Sequence, residues 1–351
     1  MSLDAPQDRA GSGGESIDTK NHPPRISIVT PAFNESANLP LLYDRIRAAL
    51  EPIPVVWEWV VVDDYSSDGT FEVLSHLAQN DPRVRGFRFA RNSGSHKALT
   101  CGLREALGDC AAIMAADLQD PPEILGPMIH KWMTGSQVVW AVRSARHGEA
   151  ASTVIFARMY YWLMRRFVGL QQMPPSGADF FLLDRRVLDA FRSFREHNTS
   201  LMSLILWMGF RQDSVSYEKQ ARVHGSSKWN LEMKLKLLVD SVTAFTYKPL
   251  RYMSYAGFTI ATLGFFYALV VIINALAGHP VEGWTSLMVV MLVLGGFQML
   301  MMGVLGEYLW RVLDEARQRP LYLIETTVGR STFLPTAVVG QSAPMQPGRY
   351  Q

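Results

Sequence analysis

Short apolar runs and segments with helical spacing alternate along the first part of the chain. The apolar runs cover residues 26–30, 55–62, 84–89, 111–116 and 138–142. Leu39, Leu42, Ile46 and Leu50 follow the first run and recur every three or four residues, as the buried face of a helix does. Strands that alternate with helices are typical of a mostly parallel sheet covered by helices. The pattern therefore predicts an α/β fold for residues 25–229.

A different pattern begins near residue 230. One apolar stripe is formed at heptad-like spacing by Leu231, Leu235, Leu238, Val242 and Phe245. It predicts an amphipathic helix over 230–251 that lies in the membrane interface, and a helix that faces an ordinary protein core is the alternative. Residues 252–277 and 283–306 contain no charged side chain, and each exceeds the roughly 20 residues that cross the hydrocarbon layer as a helix. We therefore expect two transmembrane helices within residues 252–310.

Charge around the two spans predicts their orientation. The link between them, residues 278–282, has neither lysine nor arginine, whereas the outer flanks carry Lys248, Arg251, Arg311, Arg317 and Arg319. Because positive charge favours the cytoplasmic side, both outer ends are predicted to be cytoplasmic, together with residues 25–229. The chain is thus expected to be a multi-pass protein of the inner (cytoplasmic) membrane.

Composition agrees with this division. Of the 351 residues, 48% are hydrophobic and 19% are charged, and the apolar excess is concentrated near the C-terminus. A net charge of +2 gives no support for nucleic-acid binding, because such proteins usually carry a strongly basic face. Cys101 and Cys110 have no metal-ligand spacing and are assigned to packing.

The two ends of the chain are polar. Residues 1–24 lack the apolar core of a signal peptide and are predicted to be a disordered tail. Residues 311–351 are predicted to form a cytoplasmic arm and tail, with a short strand within 319–329.

Polar side chains follow the ends of the predicted strands. Asp117 and Gln119 come directly after the fourth run, before Pro121 and Pro122. Ligands bind beyond the carboxyl ends of strands in an open α/β sheet, so this carboxylate and amide could hold a hard cation against a substrate's phosphates. The alternative is a solvated turn in which Asp117 caps the next helix.

Two further clusters follow the second and fifth runs. Asp63, Asp64 and Asp68 lie close together in sequence, and such a group persists more easily when it binds a cation, hydroxyls or amide N–H groups. For Asp68 a helix cap is the preferred interpretation. Arg143 and Arg146 suit the recognition of phosphate or carboxylate, with solvated surface arginines as the alternative.

Several motifs in order give the chain a recognisable signature. They are PAFNE at 31–35, VVDDYSSDGT at 61–70, RNSGSH at 91–96, ADLQDPPE at 116–123, GADFFLLDRRVL at 177–188, WMGF at 207–210 and the stretch from Tyr217 through Arg222 to GSSKW at 225–229. This order resembles the family 2 glycosyltransferases of GT-A fold and, within them, the polyprenyl-phosphate glycosyltransferases of bactoprenol- and dolichol-phosphate type. The resemblance covers residues 25–329.

The resemblance implies a nucleotide-sugar site at the first four motifs. The donor-binding residues would be Pro31, Ala32, Phe33, Glu35, Asp63, Asp64, Asn92, Ser95, Asp117 and Gln119. Carboxylates in such a pocket accept hydrogen bonds from hydroxyls and ring N–H groups. Asp117 and Gln119 would hold Mg²⁺ or Mn²⁺ on the donor diphosphate, where a cation stabilises the leaving group.

On the acceptor side the resemblance implies a lipid phosphate. Asp179 would be a second catalytic residue that orients the reacting groups or acts as a weak base, and its alternative is a structural cap. The acceptor phosphate would be gathered near the bilayer surface by Arg143, Arg146, Lys219, Arg222 and Lys228.

Two positions depart from the family's pattern. Ala115 occupies the first position of the usual Asp-x-Asp loop, which leaves Asp117 with Gln119 and Asp120 as the nearby oxygen ligands. A weaker or more hydrated metal site is the expected result. Residues 199–203 lack the Arg-x-x-Arg-Gly pattern of relatives, so no sugar or acceptor contact is transferred to them.

The function implied is inverting transfer of one sugar from a nucleotide-sugar, with a UDP-sugar favoured, to a polyprenyl phosphate at the cytoplasmic face. A homo-oligomer, a tetramer by resemblance, is expected, and nucleic acid is not a partner. The alternatives are a catalytically silent membrane scaffold and a GDP-mannose-using enzyme of dolichol-phosphate type. A processive polysaccharide synthase is disfavoured because the chain has no Gln-x-x-Arg-Trp motif and only two spans.

Overall fold

The computed structural model describes residues 22–144, 180–194, 200–218, 246, 248–277 and 283–333. Within them one sheet contains β1 (Arg25–Ala32), β2 (Val56–Asp63), β3 (Val84–Phe89), β4 (Cys110–Ile113), β5 (Val138–Arg143), β6 (Phe180–Asp184), β7 (Gln212–Tyr217) and β8 (Ile324–Val328). The α-helices are α1 (Asn38–Leu50), α2 (Thr70–Asn80), α3 (Ser95–Glu105), α4 (Leu125–Met133), α5 (Arg185–Ser193), α6 (Leu201–Trp207), α7 (Lys248–Leu276) and α8 (Trp284–Ala316).

The strand order across the sheet is β7-β5-β6-β4-β1-β2-β3-β8. The four central strands β4, β1, β2 and β3 are parallel, while β6 and β8 run antiparallel to their neighbours. The predicted α/β fold with a mostly parallel sheet is therefore confirmed. The five apolar runs correspond to β1 to β5, although β4 ends at Ile113 rather than at residue 116.

Helices cover both faces of this sheet. Side chains along β2 alternate between the two faces, so Val61 packs with α1, α2 and α4 whereas Val60 and Val62 pack with α3, α5 and α6. Cys101 and Cys110 lie buried in these two cores, and burial raises the pKa of the Cys101 thiol to about 12. Their assignment to packing is confirmed.

A buried carboxylate fastens the edge of the sheet at which the parallel strands begin. Glu58 on β2 is fully buried, and its Oε1 accepts hydrogen bonds from Ser27 Oγ at 2.7 Å and from the Leu107 N–H at 2.9 Å. Its Oε2 accepts from Arg85 Nη1 and from Ser331 Oγ, each at 3.1 Å. The Glu58 carboxylate thereby joins β1, β2, β3, the end of α3 and the segment after β8.

Two helices, α7 and α8, are long and apolar enough to cross a membrane, by length and composition. α7 already begins at Lys248, inside the range predicted for the amphipathic helix, and α8 continues past Gly306 to Ala316. The two helices contact each other, and Tyr308 Oη of α8 donates to the Thr246 carbonyl just before α7. The rest of the predicted amphipathic helix, residues 230–245, lies outside the described residues, as does the predicted tail 1–21.

After α8 the chain returns to the sheet. The Ala90 N–H donates to the Leu323 carbonyl at 2.9 Å, β8 then pairs antiparallel with β3, and the Tyr322 ring stacks on Phe89 with centroids 5.1 Å apart. The short strand predicted in the C-terminal arm is thus present as β8. β8 thereby fastens the segment that follows the C-terminal end of α8 to the sheet.

Replacing Glu58 tests the buried carboxylate. We expect Glu58→Gln to lower the free energy of unfolding by about 3 kcal/mol, because Arg85 then stays buried opposite a neutral group. Thermal and urea unfolding in detergent, followed by tryptophan fluorescence, measures the loss.

The matched control is Glu51→Gln. Glu51 forms an exposed ion pair with Arg47 at 3.7 Å, so its loss should cost less than about 1 kcal/mol. Equal losses in the two variants would show that Glu58 contributes no more than a surface ion pair.

Candidate active site

The polar loops meet at one edge of the sheet because the strands before them are parallel and in level register. Ala32 at the end of β1 pairs with Asp63 at the end of β2, and Asp63 pairs with Arg88 near the end of β3. Beyond β4 the Met114 N–H still donates to the Val29 carbonyl, and Asp117 follows three residues later. The structure therefore brings the first four motifs together, as the sequence predicts.

The loops after β1 and β2 are tied to each other by side chains. Asp68 accepts hydrogen bonds from the N–H and Oγ of Ser36 and from the N–H and Oγ1 of Thr70. Burial raises the pKa of Asp68, but these hydrogen bonds outweigh it, so that the pKa is lowered. Asn34 accepts from the Ser67 N–H at 2.9 Å and adopts a left-handed conformation, with φ of 58°.

Within these tied loops lie four of the predicted donor-binding residues. Pro31 and Ala32 end β1, Phe33 is partly exposed, and the Glu35 N–H donates to Thr70 Oγ1 at 2.8 Å. Glu35 Oε2 also accepts from the Asn38 amide at 2.6 Å. Their backbone positions are thus set by hydrogen bonds within the two loops.

Asp64 organises the loop after β3. Its Oδ1 accepts the Ser93 N–H at 2.6 Å and its Oδ2 accepts the Gly94 N–H at 2.8 Å, while the Asn92 amide donates to the Asp64 carbonyl. Ser95 begins α3 directly behind this turn. The Ser93 and Gly94 amides are therefore bound within the protein, and the structure gives Asp64 the role of shaping the loop.

Asp63 differs from its neighbour. It is fully buried, and its Oδ1 accepts the Ser66 N–H at 3.1 Å, but its Oδ2 has no hydrogen-bond partner among the described residues. Arg88 Nη1 lies 3.7 Å from Oδ2, an ion-pair distance that is too long for a hydrogen bond. Burial raises the pKa of Asp63, although Ser66 and Arg88 oppose the rise. A buried carboxylate oxygen normally has a donor, so Oδ2 fits an N–H or O–H of a ligand.

The two carboxylates of the acidic loop after β4, Asp117 and Asp120, have different hydrogen-bond partners. Asp117 is partly buried and its Oδ1 accepts the Gln119 N–H at 3.2 Å, across a turn in which Leu118 has a φ of 59°. Asp120 is buried and accepts from the Tyr217 hydroxyl at 2.6 Å. Tyr217 ends β7, so this hydrogen bond couples the acidic loop to the segment that continues toward residues 219–229.

The donor set of this loop fits a cation that is shared with a ligand. Among the described residues, no three His, Cys, Asp or Glu side chains come together in a way that could hold a metal. Asp120 faces Tyr217 and Ala115 supplies no side-chain oxygen, which leaves the Asp117 carboxylate and the Gln119 amide. A cation such as Mg²⁺ that binds through substrate phosphates needs only one or two protein carboxylates, so this pair is sufficient.

The acceptor-side predictions fall mostly on residues that the structure does not describe. These are Asp179, Arg146, Lys219, Arg222 and Lys228. Arg143 is described as the partly buried last residue of β5. Tyr217 begins the last motif stretch of the resemblance, but its hydrogen bond to Asp120 was not predicted. The two residues are 97 positions apart in sequence, and the β5–β7 pairing rather than a local pattern brings them together.

Comparisons with known proteins identify the class. Residues 27–192 match glycosyl transferase family 2. The chain is 37% identical over 306 residues to the uncharacterized glycosyltransferase YkcC of Bacillus subtilis, covering 87% of this chain and 94% of that protein. It is 36% identical over 302 residues to the bactoprenol glucosyl transferase of Shigella phage SfV, covering 86% and 98%. The chain therefore belongs to glycosyl transferase family 2 and is a glycosyltransferase, which confirms the resemblance seen in its motifs.

Solved structures are more distant. Mannosyl-3-phosphoglycerate synthase from Rubrobacter xylanophilus is 18% identical, with a TM-score of 0.45 over 66% of this chain and 75% of that one. This match adds nothing to the assignment.

The unpartnered oxygen of Asp63 gives a stability prediction. We expect Asp63→Asn to raise the melting temperature at neutral pH, because burial raises the pKa of Asp63 and its charged form therefore costs stability. The gain should shrink as the pH falls, since a carboxyl with a raised pKa takes up its proton in the folded protein before it does so in the unfolded chain. Thermal unfolding over a series of pH values measures both effects.

Asp64→Asn is the control for this prediction. Both oxygens of Asp64 accept backbone N–H groups. In Asp64→Asn the amide NH₂ would face one of these N–H donors, so one hydrogen bond would be lost and the melting temperature would fall. Equal destabilisation by the two variants would mean that Asp63, like Asp64, is a structural carboxylate.

Proposed function

We propose that this glycosyltransferase transfers one sugar, with inversion, from a nucleotide-sugar to a polyprenyl phosphate at the cytoplasmic face of the membrane. The observation that carries the proposal is the attachment of β8. Because β8 returns the chain from α8 to the sheet, the polar loops and two helices of membrane-spanning length belong to one connected unit. Such a unit can hold a water-soluble donor beside an acceptor that is embedded in lipid.

The named relatives support the same acceptor. Bactoprenol glucosyl transferases of Shigella phages SfV, SfII and SfX are 35% to 36% identical to this chain and cover 86% of it. α7 begins at Lys248, so 247 residues precede it, and the 302 aligned residues of the SfV protein must extend into the helix pair. The names favour a glucosyl donor, and UDP-glucose is accordingly the first donor to test.

On the donor side, the protein's own groups bind and orient the nucleotide. The unpartnered Oδ2 of Asp63 would accept an N–H of the base, and Glu35 and Phe33 would contact ribose and base. Asp117 and Gln119 would hold Mg²⁺ or Mn²⁺. When bound there, the cation supplies positive charge to the diphosphate as it leaves. The Ser93 and Gly94 N–H groups, already bound to Asp64, keep the loop after β3 in place before the donor arrives.

On the acceptor side, little acid–base chemistry is required. A lipid phosphate has a second pKa of about 6, so it is already an anionic nucleophile at neutral pH. Asp179 would orient it, and Arg143, Arg146, Lys219, Arg222 and Lys228 would gather its charge. The hydrogen bond from Tyr217 to Asp120 links this cationic segment to the loop that carries Asp117.

The membrane arrangement forms part of the proposal. If both α7 and α8 cross the bilayer, their outer ends lie on the side of the sheet, since one follows the domain and the other leads into β8. The cations at those ends favour a cytoplasmic position for that side. A homo-oligomer in the inner membrane stays a prediction from the resemblance.

Replacing Asp117 tests the activity. We expect Asp117→Ala to reduce sugar transfer by at least about a hundredfold, as loss of one electrostatic contact to a developing charge commonly does. The assay incubates purified full-length protein with UDP- or GDP-sugars, Mn²⁺ or Mg²⁺ and a short polyprenyl phosphate, and follows the lipid-linked sugar and the nucleoside diphosphate.

Glu51→Gln serves as the control and should transfer sugar at the wild-type rate. Full divalent-dependent transfer by Asp117→Ala would remove Asp117 from the mechanism. No product from any donor with the wild-type protein would instead favour a catalytically silent scaffold, the alternative to which Ala115 points. Product from GDP-mannose alone would favour an enzyme of dolichol-phosphate type.

The two native cysteines make the orientation testable. Cys101 and Cys110 are buried, so an added exposed cysteine should be the reactive one. We expect His279→Cys, in the link between the spans, to react with a membrane-impermeant maleimide added outside intact cells. Thr326→Cys on β8 should react only after permeabilisation, and labelling in the opposite order would contradict the proposed orientation.

A further inference from the structure

Three side chains lie in a row across three neighbouring strands at the donor edge of the sheet. Asp63 of β2 pairs in register with Arg88 of β3, and Arg88 pairs with Thr326 of β8, next to Glu325. Arg88 Nη1 lies 3.7 Å from Asp63 Oδ2, and Arg88 Nε lies 3.2 Å from Glu325 Oε2. The row runs from the interior to the surface, because Asp63 is fully buried, Arg88 is mostly covered and Glu325 is half exposed.

The guanidinium in the middle of this row is held from several sides. Its Nη2 donates to the Ser66 carbonyl at 3.3 Å, and its centre lies 5.5 Å from the ring centroid of Tyr65 and 5.4 Å from that of Phe71. Cations stack favourably on aromatic faces at such distances. Arg88 therefore has a fixed position in which it faces both carboxylates.

We propose that Arg88 is a positioning residue of the donor site, which keeps Asp63 charged while leaving its Oδ2 open to the nucleotide, and that Glu325 on the strand after α8 acts through Arg88. The inference rests on the proposed donor role of Asp63. It adds the C-terminal arm to the parts of the protein that determine donor affinity.

The distance between Arg88 and Asp63 decides how the arginine affects the carboxylate. A hydrogen bond from the guanidinium at 2.8 Å would neutralise the carboxylate but would also occupy the oxygen that the ligand needs. At 3.7 Å the cation still supplies attraction in a water-poor interior, yet the lone pairs of Oδ2 stay available. Glu325 Oε2 contacts a different nitrogen of the guanidinium, Nε, at 3.2 Å and would hold Arg88 at that distance from Asp63.

Other charges around Asp63 act against ionisation. Asp64 follows it in sequence and Asp68 lies further along the same loop, and the negative charge of each raises the pKa of Asp63. Burial acts in the same direction. Among the described residues that face Asp63, Arg88 is the one that brings positive charge. Removing Arg88 should therefore make the base-binding carboxylate protonate at a higher pH.

The test measures nucleotide binding by the purified full-length protein in detergent. UDP and GDP are each titrated by calorimetry in the presence of Mn²⁺ over a series of pH values. We expect Arg88→Met to weaken binding of the preferred nucleoside diphosphate by about tenfold at neutral pH, the factor expected for a weakened hydrogen bond to a charged group. The midpoint of the fall in affinity on acidification should move to higher pH.

Glu325→Gln provides a variant that should fold, since the side chain is half exposed. We expect a smaller loss of affinity, about twofold to threefold, because Arg88 can then approach Asp63 and occupy Oδ2. The pH midpoint should move the opposite way, to lower pH, since a closer cation favours the charged carboxylate. The matched control Glu51→Gln removes a carboxylate from another arginine on the surface of α1 and should leave both quantities unchanged. In the double variant Arg88→Met with Glu325→Gln, the second change should have no further effect.

Distinct outcomes separate this inference from the function on which it rests. Wild-type affinity and pH profile in both single variants would overturn the role of Arg88. Additive losses in the double variant would overturn the claim that Glu325 acts through Arg88. Asp63→Asn with wild-type nucleotide binding would overturn the donor role of Asp63 itself, whereas weakened binding by Asp63→Asn alone would overturn only the inference.

Discussion

The parallel pairing of β1 with β2 and β4 is the constraint on which the rest of the structure depends. Parallel strands in level register deliver their carboxyl ends to one edge, and every polar loop at the donor side leaves the sheet there. Asp68 then ties the first two loops together, and Asp64 ties the third to the second. Side chains that are distant in sequence thus share one rigid edge, on which a ligand meets preset donors and acceptors.

Two buried carboxylates at opposite ends of β2 differ in how far the protein itself satisfies them. Glu58 has each oxygen bonded twice, to hydroxyls, an amide and an arginine, so its charge fastens five segments. Asp63 has one oxygen bonded and one left to a distant cation. The carboxylate of Glu58 therefore stabilises the fold. The carboxylate of Asp63 lowers stability, and its open oxygen would gain a partner only from a bound ligand.

The C-terminal strand gives the helix pair more than an attachment. Because β8 adds to the sheet beside β3, the segment that leaves α8 contacts the donor edge through Glu325 and the opposite edge through Ser331. A movement of α8 relative to the sheet would have to pull on these contacts. A helix of membrane-spanning length is in this way tied to the edge that carries the proposed donor site.

The sequence by itself determined the α/β fold, the first five strands, the two apolar helices and the family, because each rests on periodicity or on residues that are close in the chain. It also identified Asp63 and Asp117 as polar groups at strand ends. Only the tertiary structure decided that Asp64 is bound by a loop, that Asp120 faces Tyr217 and that Glu325 reaches Arg88. Those contacts depend on which strands become neighbours and in what register, and such long-range pairings leave no local pattern in the chain.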